Sequence, residues 1–222
     1  MIRLEGVTKE YAGGVFALRE VDLTLKEGEL VVLKGVSGSG KSTILSLIAG
    51  LSKPTEGRVV VDGKEISRLP DHFCAAFRRD NIGIIFQRYN LITELSVEEN
   101  ILLPLYPLNM AREELSSRAQ RLLEQFHLQE KAQTVVKNLS GGQQQRVAIA
   151  RAKVNDPKII LADEPTANLD EKLSKEFIEI LRDLKSQKRT IVVATHDPLF
   201  FDLDFVDRFI TVEHGRVLDD NT

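Results

Sequence analysis

Two hydrophobic rhythms divide the chain. Leu30-Val31-Val32-Leu33, Ile82-Gly83-Ile84-Ile85-Phe86 and Ile191-Val192-Val193-Ala194 are short continuous apolar runs rich in β-favouring residues. Such runs suit strands buried on both faces of a parallel sheet. Near the N-terminus the rhythm is alternating. Ile2 to Val7 and Phe16 to Leu25, clearest at Val21, Leu23 and Leu25, are separated by the turn-forming Ala12-Gly13-Gly14, which predicts an antiparallel layer. Arg58 to Asp62, closed by Gly63, reads as a further hairpin. Helical spacing takes over elsewhere. Ser42 to Ala49 places Ile44, Leu45, Leu47 and Ile48 on one side and stops at Gly50, and Asp71 is expected to cap a short helix running to Arg79. From Leu91 to about Lys137 helices dominate. Ser96 and Glu99 form a capping box, Pro104 and Pro107 break the helix that follows, and Leu115, Ala119, Leu122, Leu123 and Phe126 line the apolar side of a longer one.

Between the first apolar run and the first helix lies Gly35-Val36-Ser37-Gly38-Ser39-Gly40-Lys41-Ser42-Thr43, matching G-x-x-x-x-G-K-[ST] at every fixed position. Glycines let backbone N–H groups converge on phosphate oxygens, and the helix N-terminus adds partial positive charge. Lys41 brings a full charge to the β- and γ-phosphates, Ser42 a hydroxyl for Mg²⁺, and Thr43 a further phosphate hydrogen bond. A nucleoside triphosphate is the expected ligand. A second anion site is expected at Leu139-Ser140-Gly141-Gly142-Gln143, where Ser140 caps a helix with a glycine-rich first turn. One nucleotide has no need of two such sites in one domain. A second copy of the chain is the natural user of the other.

Composition narrows the partners. A net charge of −3 leaves no broad basic footprint, so no nucleic-acid partner is expected. Cys74 is the only cysteine and no signal-like segment opens the chain, which favours a reducing cytosolic setting. No apolar run approaches the roughly 20 residues a spanning helix needs, so any membrane role is expected through a partner.

The phosphate loop together with the LSGGQ of Leu139 to Gln143 resembles the ATP-binding subunits of ABC transporters over essentially the whole chain. The resemblance implies an α/β P-loop NTPase core with a mostly parallel sheet, an N-terminal antiparallel β layer and an inserted helical subdomain. It implies a single domain, 1–222, with the core in 1–90 and 156–222 and the helical part at about 91–155. Ile159 to Asp163 then corresponds to the family's second strand, with Asp163 helping to hold Mg²⁺ and Glu164 polarising the attacking water. His196 matches the switch histidine, Gln87 the coupling glutamine that also reaches the metal, Tyr11 the adenine-stacking aromatic, and Asn168 and Asp170 the dimer-contacting loop. Ser140, Gly141, Gly142 and Gln143 are implied to meet the ATP of the opposite copy.

The wording of Asn90 to Asn100 and Leu161 to Asp170 is similar to ATPases of the lipoprotein-releasing, macrolide-export and cell-division group. Two positions depart from that group: Ala167, usually glycine, and Lys153, usually aliphatic. The implied function is a head-to-tail homodimer around two ATP, peripheral on the inner face of the membrane, that drives a membrane-spanning export or lipoprotein-release subunit. A non-transporting cell-division ATPase is the alternative. A soluble ABC-type ATPase of DNA repair or translation is disfavoured, since it needs a long coiled coil or tandem nucleotide domains. The last strand pattern lies near Val217, and no appended regulatory domain is expected.

Overall fold

The computed structural model describes residues 1–219. In chain order the elements are β1 (Ile2–Tyr11), β2 (Val15–Leu25), β3 (Leu30–Lys34), α1 (Lys41–Ile48), β4 (Glu56–Val61), β5 (Lys64–Glu65), α2 (Asp71–Asn81) and β6 (Ile82–Ile85). There follow α3 (Val97–Leu102), α4 (Arg112–Gln125), α5 (Gly141–Lys153), β7 (Ile159–Asp163), α6 (Glu171–Ser186), β8 (Thr190–Thr195), β9 (Arg208–Glu213) and β10 (Arg216–Asp219).

The apolar runs form the central β3 and β8 and the edge strand β6 of a six-stranded sheet in the order β10-β9-β3-β8-β7-β6, parallel except for the β9–β10 hairpin. Because both faces of these strands are covered, successive residues enter different cores. Val32, Ile160 and Val193 pack with α3 to α6, whereas Val31, Leu161 and Val192 pack with α1 and the antiparallel layer. That layer is a four-stranded sheet, β2-β1-β4-β5. The expected α/β architecture is present. The helical stretch also shares one continuous apolar cluster with a face of the central sheet.

Local sequence sets the helix ends. Ser96 and Glu99 make the expected capping box on α3, and Ser140 and Gln143 make another on α5. Asp170 caps α6 by accepting from Leu173 N at 2.8 Å. Phe177, Ile178, Leu181 and Leu184 are buried along one side of α6. At roughly 1.5–3 kcal/mol each, those four side chains contribute about 6–12 kcal/mol before the entropy of ordering them is counted. One expectation needs correction. Asp71 is inside the first turn of α2 and makes no capping hydrogen bond, because Pro70 occupies the cap position and supplies the extended entry. The break expected at Pro104 and Pro107 is present: α3 ends at Leu102, and Leu103–Leu108 winds as a 3₁₀ stretch that starts well with Pro104 in its first turn and ends at Asn109 with φ +49°.

Candidate functional site

Register brings the chemistry to one edge. Lys34 of β3 lies opposite Thr195 of β8, and Ala194 of β8 lies opposite Asp163 of β7. Gly35, Glu164 and His196 therefore leave neighbouring parallel strands together, at the carboxyl edge where α/β sheets bind ligands. Gly35, Gly38 and Gly40 have φ of +153°, +79° and +116°, values that L side chains rarely adopt. Gly40 is the N-cap of α1, and no side chain caps that helix. No acidic residue lies in its first turn, so the free N–H groups there are suited to an anion.

A cavity of about 320 Å³ is lined by the loop, Gln87, Glu164 and His196, with Ala17 of β2 closing one side. Lys41 is buried, donating from Nζ to Gly35 O at 2.6 Å and Val36 O at 3.2 Å, and lying 3.4 Å from Glu164 Oε1. The loop thus holds its own cation at the wall of this cavity. Ser42 Oγ donates to Asp163 Oδ1 at 2.9 Å. Burial pushes the Asp163 carboxyl above the usual carboxylate range, with the Glu164 charge adding to the effect and the Ser42 hydrogen bond and Lys41 opposing it.

Glu164 is the most connected group. Its Oε1 is 2.9 Å from His196 Nδ1, and its Oε2 accepts from Thr195 Oγ1 at 3.1 Å and His196 N at 3.3 Å. Its backbone has φ +43° and its N–H donates to Ala194 O at 2.8 Å, which pins the residue to the end of β8. A non-glycine residue in that conformation is held there by its surroundings.

Other expected residues lie apart from this cavity. Tyr11 is exposed at the β1–β2 turn, with Lys9 Nζ 5.0 Å from its ring centroid, and does not line the cavity. Val36 is exposed and borders a second space of about 580 Å³ that shares Ser37, Gly38, Ser39 and His196 with the first. None of Ser140 to Gln143 lines this cavity. Ser140 is exposed, whereas Gly142 is buried so tightly that a Cβ would lie 2.5 Å from Leu173 Cδ1. Asn168 Nδ2 donates to Gln87 O at 2.8 Å, tying the two loops together, and Asp170 is occupied as a helix cap.

Sequence reasoning passed over three contributors. Arg151 of α5 donates to Asn90 O at 2.5 Å and Tyr89 O at 2.6 Å, clamping two consecutive residues of positive φ just after Gln87. Its place within an apolar helix was the only clue. Thr195 and Thr166 are buried hydroxyls beside the acidic groups, the former flagged only by lying between an apolar run and His196. Lys153 is half-buried, with Nζ 5.7 Å from the Phe126 ring centroid, and burial pushes its amine below the usual lysine value.

Residues 18–167 match the model of the ABC transporter family. The chain belongs to that family. Its cassette is 46% identical to MJ0796 of Methanocaldococcus jannaschii, described as an uncharacterized ABC transporter ATP-binding protein, over 98% of this chain and 95% of that one. It is 42% identical to the macrolide export ATP-binding/permease protein MacB of Hyphomonas neptunium, of which it spans 34%. A dimeric MJ0796 structure in a post-hydrolysis state with ADP and Pi superposes with a TM-score of 0.90 at 44% identity, covering 98% of this cassette and 96% of that chain. CbiO1 of Clostridium perfringens, part of the cbiONQ complex, gives 0.82 at 30% identity over 98% and 86%. The cassette is accordingly an ATP-binding ATPase of the ABC type, and no helix among the described residues is long and apolar enough to cross a membrane.

Proposed function

We propose that two copies of this cassette close head to tail around two ATP and drive a membrane-embedded export or lipoprotein-release transporter, held on the inner face of the membrane by its spanning subunit. The observation that carries the proposal is the separation of the anion sites: the phosphate loop forms one cavity, and the exposed, capped N-terminus of α5 at Ser140 to Gln143 lies outside it. A second copy brings the two together. Tyr11 would stack on adenine, and Asn168 and Asp170 would border the dimer contact. Residues 1–90 and 156–222 would act as the nucleotide core, with about 91–155 as the attached helical arm.

ATP would draw Lys41 off the Gly35 and Val36 carbonyls onto its β- and γ-phosphates, while the first-turn amides of α1 and Thr43 bind the remaining oxygens. Glu164 Oε1, relieved of Lys41, would orient water in line with the γ-phosphorus, and His196 would hold the γ-phosphate. A hard cation suits the pair beside it. Ser42 and Asp163 present a hydroxyl and a desolvated carboxylate within hydrogen-bond reach, an oxygen donor set that fits Mg²⁺. Ser42, Asp163 and Gln87 would hold the ion, which neutralises triphosphate charge when bound.

Coupling would run through Gln87. Phe86, the residue before it, lines a cavity of about 450 Å³ with Arg78, Arg79, Pro104, Pro107 and Arg151, a recess between α2, the proline stretch and α5 suited to a segment of the membrane subunit. Extraction of membranes containing tagged Glu164→Gln protein, with ATP and Mg²⁺, should recover a spanning subunit with the cassette. Recovery of soluble homodimer alone, across several detergents, would refute the transporter reading.

A further inference from the structure

We propose that Thr195 is a positioning residue for hydrolysis, selecting which carboxylate oxygen of Glu164 faces the attacking water. The inference rests on the reading of Glu164 as the group that polarises that water. Thr195 is fully buried at the last position of β8. Its Oγ1 accepts from Asp197 N at 3.0 Å and donates to Glu164 Oε2 at 3.1 Å. The polarity of this pair is forced. A backbone N–H only donates, so the hydroxyl answers it with a lone pair and its single proton is left for the carboxylate.

Asp197 is itself fixed. Its Oδ1 accepts from Leu199 N at 3.0 Å, and its Oδ2 accepts from the buried Thr166 hydroxyl at 2.7 Å. Thr166 begins the loop that carries Asn168 and ends at the Asp170 cap, and its carbonyl accepts from Leu169 N at 2.9 Å. The hydroxyl of Thr195 is therefore oriented from behind by Asp197 and Thr166, neither of which lines the cavity at the phosphate loop.

The two oxygens of Glu164 have different partners. Oε2 is held by Thr195 Oγ1 and His196 N, both close to the β8 backbone, whereas Oε1 meets the ring of His196 and the ammonium of Lys41. Lys41 and His196 are the side chains that triphosphate would engage. The first group stays with the sheet, so Oε2 remains anchored and Oε1 becomes the free face. Without Thr195 Oγ1 the carboxylate keeps one weak 3.3 Å amide contact on Oε2 and is free to rotate about its terminal torsion.

Thr195→Val keeps the branched shape and removes the donor, and Thr195→Ser keeps the donor and removes a methyl. A hydrogen bond to a charged group supports a loss of roughly 10- to 100-fold in kcat for Thr195→Val. KM for ATP should stay within about twofold, since uniform binding is untouched. Thr195→Ser should retain kcat within about threefold of the parent. A merely structural role would lower the melting temperature of both variants and leave the turnover of the folded fraction unchanged. Parent-like kcat in folded Thr195→Val, or an equal loss in Thr195→Ser, overturns the proposal. Glu164→Gln separates the two levels: if that variant turns over ATP normally, the reading of Glu164 fails, and if it is inactive while Thr195→Val is fully active, only the positioning role fails.

Discussion

Replacing Gly40 with alanine tests whether the antiparallel layer, and not nucleotide alone, shapes the phosphate loop. At φ +116° a Cβ on residue 40 would lie 2.7 Å from the Ala17 carbonyl oxygen and 2.9 Å from Leu18 Cδ2. Neither neighbour yields easily. Leu18 is fully buried, and this part of β2 is tied to the loop through Gly215, which donates to Ser39 O at 3.0 Å and accepts from Arg19 N at 2.8 Å. Gly38 is the control, with φ +79° and nothing within 4 Å of an added Cβ. Gly38→Ala pays backbone strain of about 1–2 kcal/mol. Gly40→Ala adds overpacking of about 1–3 kcal/mol to strain of a similar kind. Taking about 2 kcal/mol for the overpacking and about 3 °C per kcal/mol for a chain of this size, Gly40→Ala should melt roughly 6 °C below Gly38→Ala. The assay is thermal unfolding without nucleotide, so that ligand linkage does not enter. Equal melting temperatures, or a more stable Gly40→Ala, would refute the claim that β2 is a rigid wall for the loop.

Three further outcomes follow from the same geometry. Lys153→Leu should raise the melting temperature at pH 7 by removing a desolvated ammonium. Because the folded-state value of Lys153 is depressed, the unfolded chain binds more protons, so the gap should narrow as pH rises through the window just below the usual lysine value; a constant gap would contradict this. Magnesium affinity should rise with pH through the elevated Asp163 range, because only the deprotonated carboxylate ligates; titration of Mg²⁺-dependent turnover would show otherwise as a flat profile. Arg151→Gln should speed amide hydrogen exchange at Gln87 to Asn90 by at least about tenfold, since two charge-assisted bonds to that loop are lost. Unchanged exchange would mean that the loop holds its strained shape unaided.

Much of the site was readable because it is written locally. A phosphate loop between a buried strand and a helix, or a helix cap at Ser140, depends on residues a few positions apart, and spacing alone expresses it. The continuous apolar run Ile191 to Ala194 likewise placed His196 at a strand end, since a parallel sheet covered on both faces tolerates little else, whereas Glu164 was placed at its strand end by the family resemblance. What stayed hidden is set by register. Nothing near Thr195 in the chain says that Asp163 and Glu164 emerge beside it, and the wall formed by Ala17 and Leu18 comes from a strand more than twenty residues before Gly40. Lys153 could be seen as unusual, yet its position over Phe126 requires α4 to pack on α5. Asp71 misled because an acidic residue at a helix start serves either as cap or as first-turn charge. Pro70 decided between them.

The most direct test of the account is the behaviour of purified Glu164→Gln protein with ATP and Mg²⁺, measured together as phosphate release and as sedimentation. ATP should still bind, phosphate release should fall by about 100-fold or more, and the protein should sediment as a dimer that ADP does not support. Phosphate release at the parent rate would remove Glu164 from its role, and a protein that stays monomeric with ATP bound would contradict the pairing of the phosphate loop with Ser140 to Gln143 across two copies.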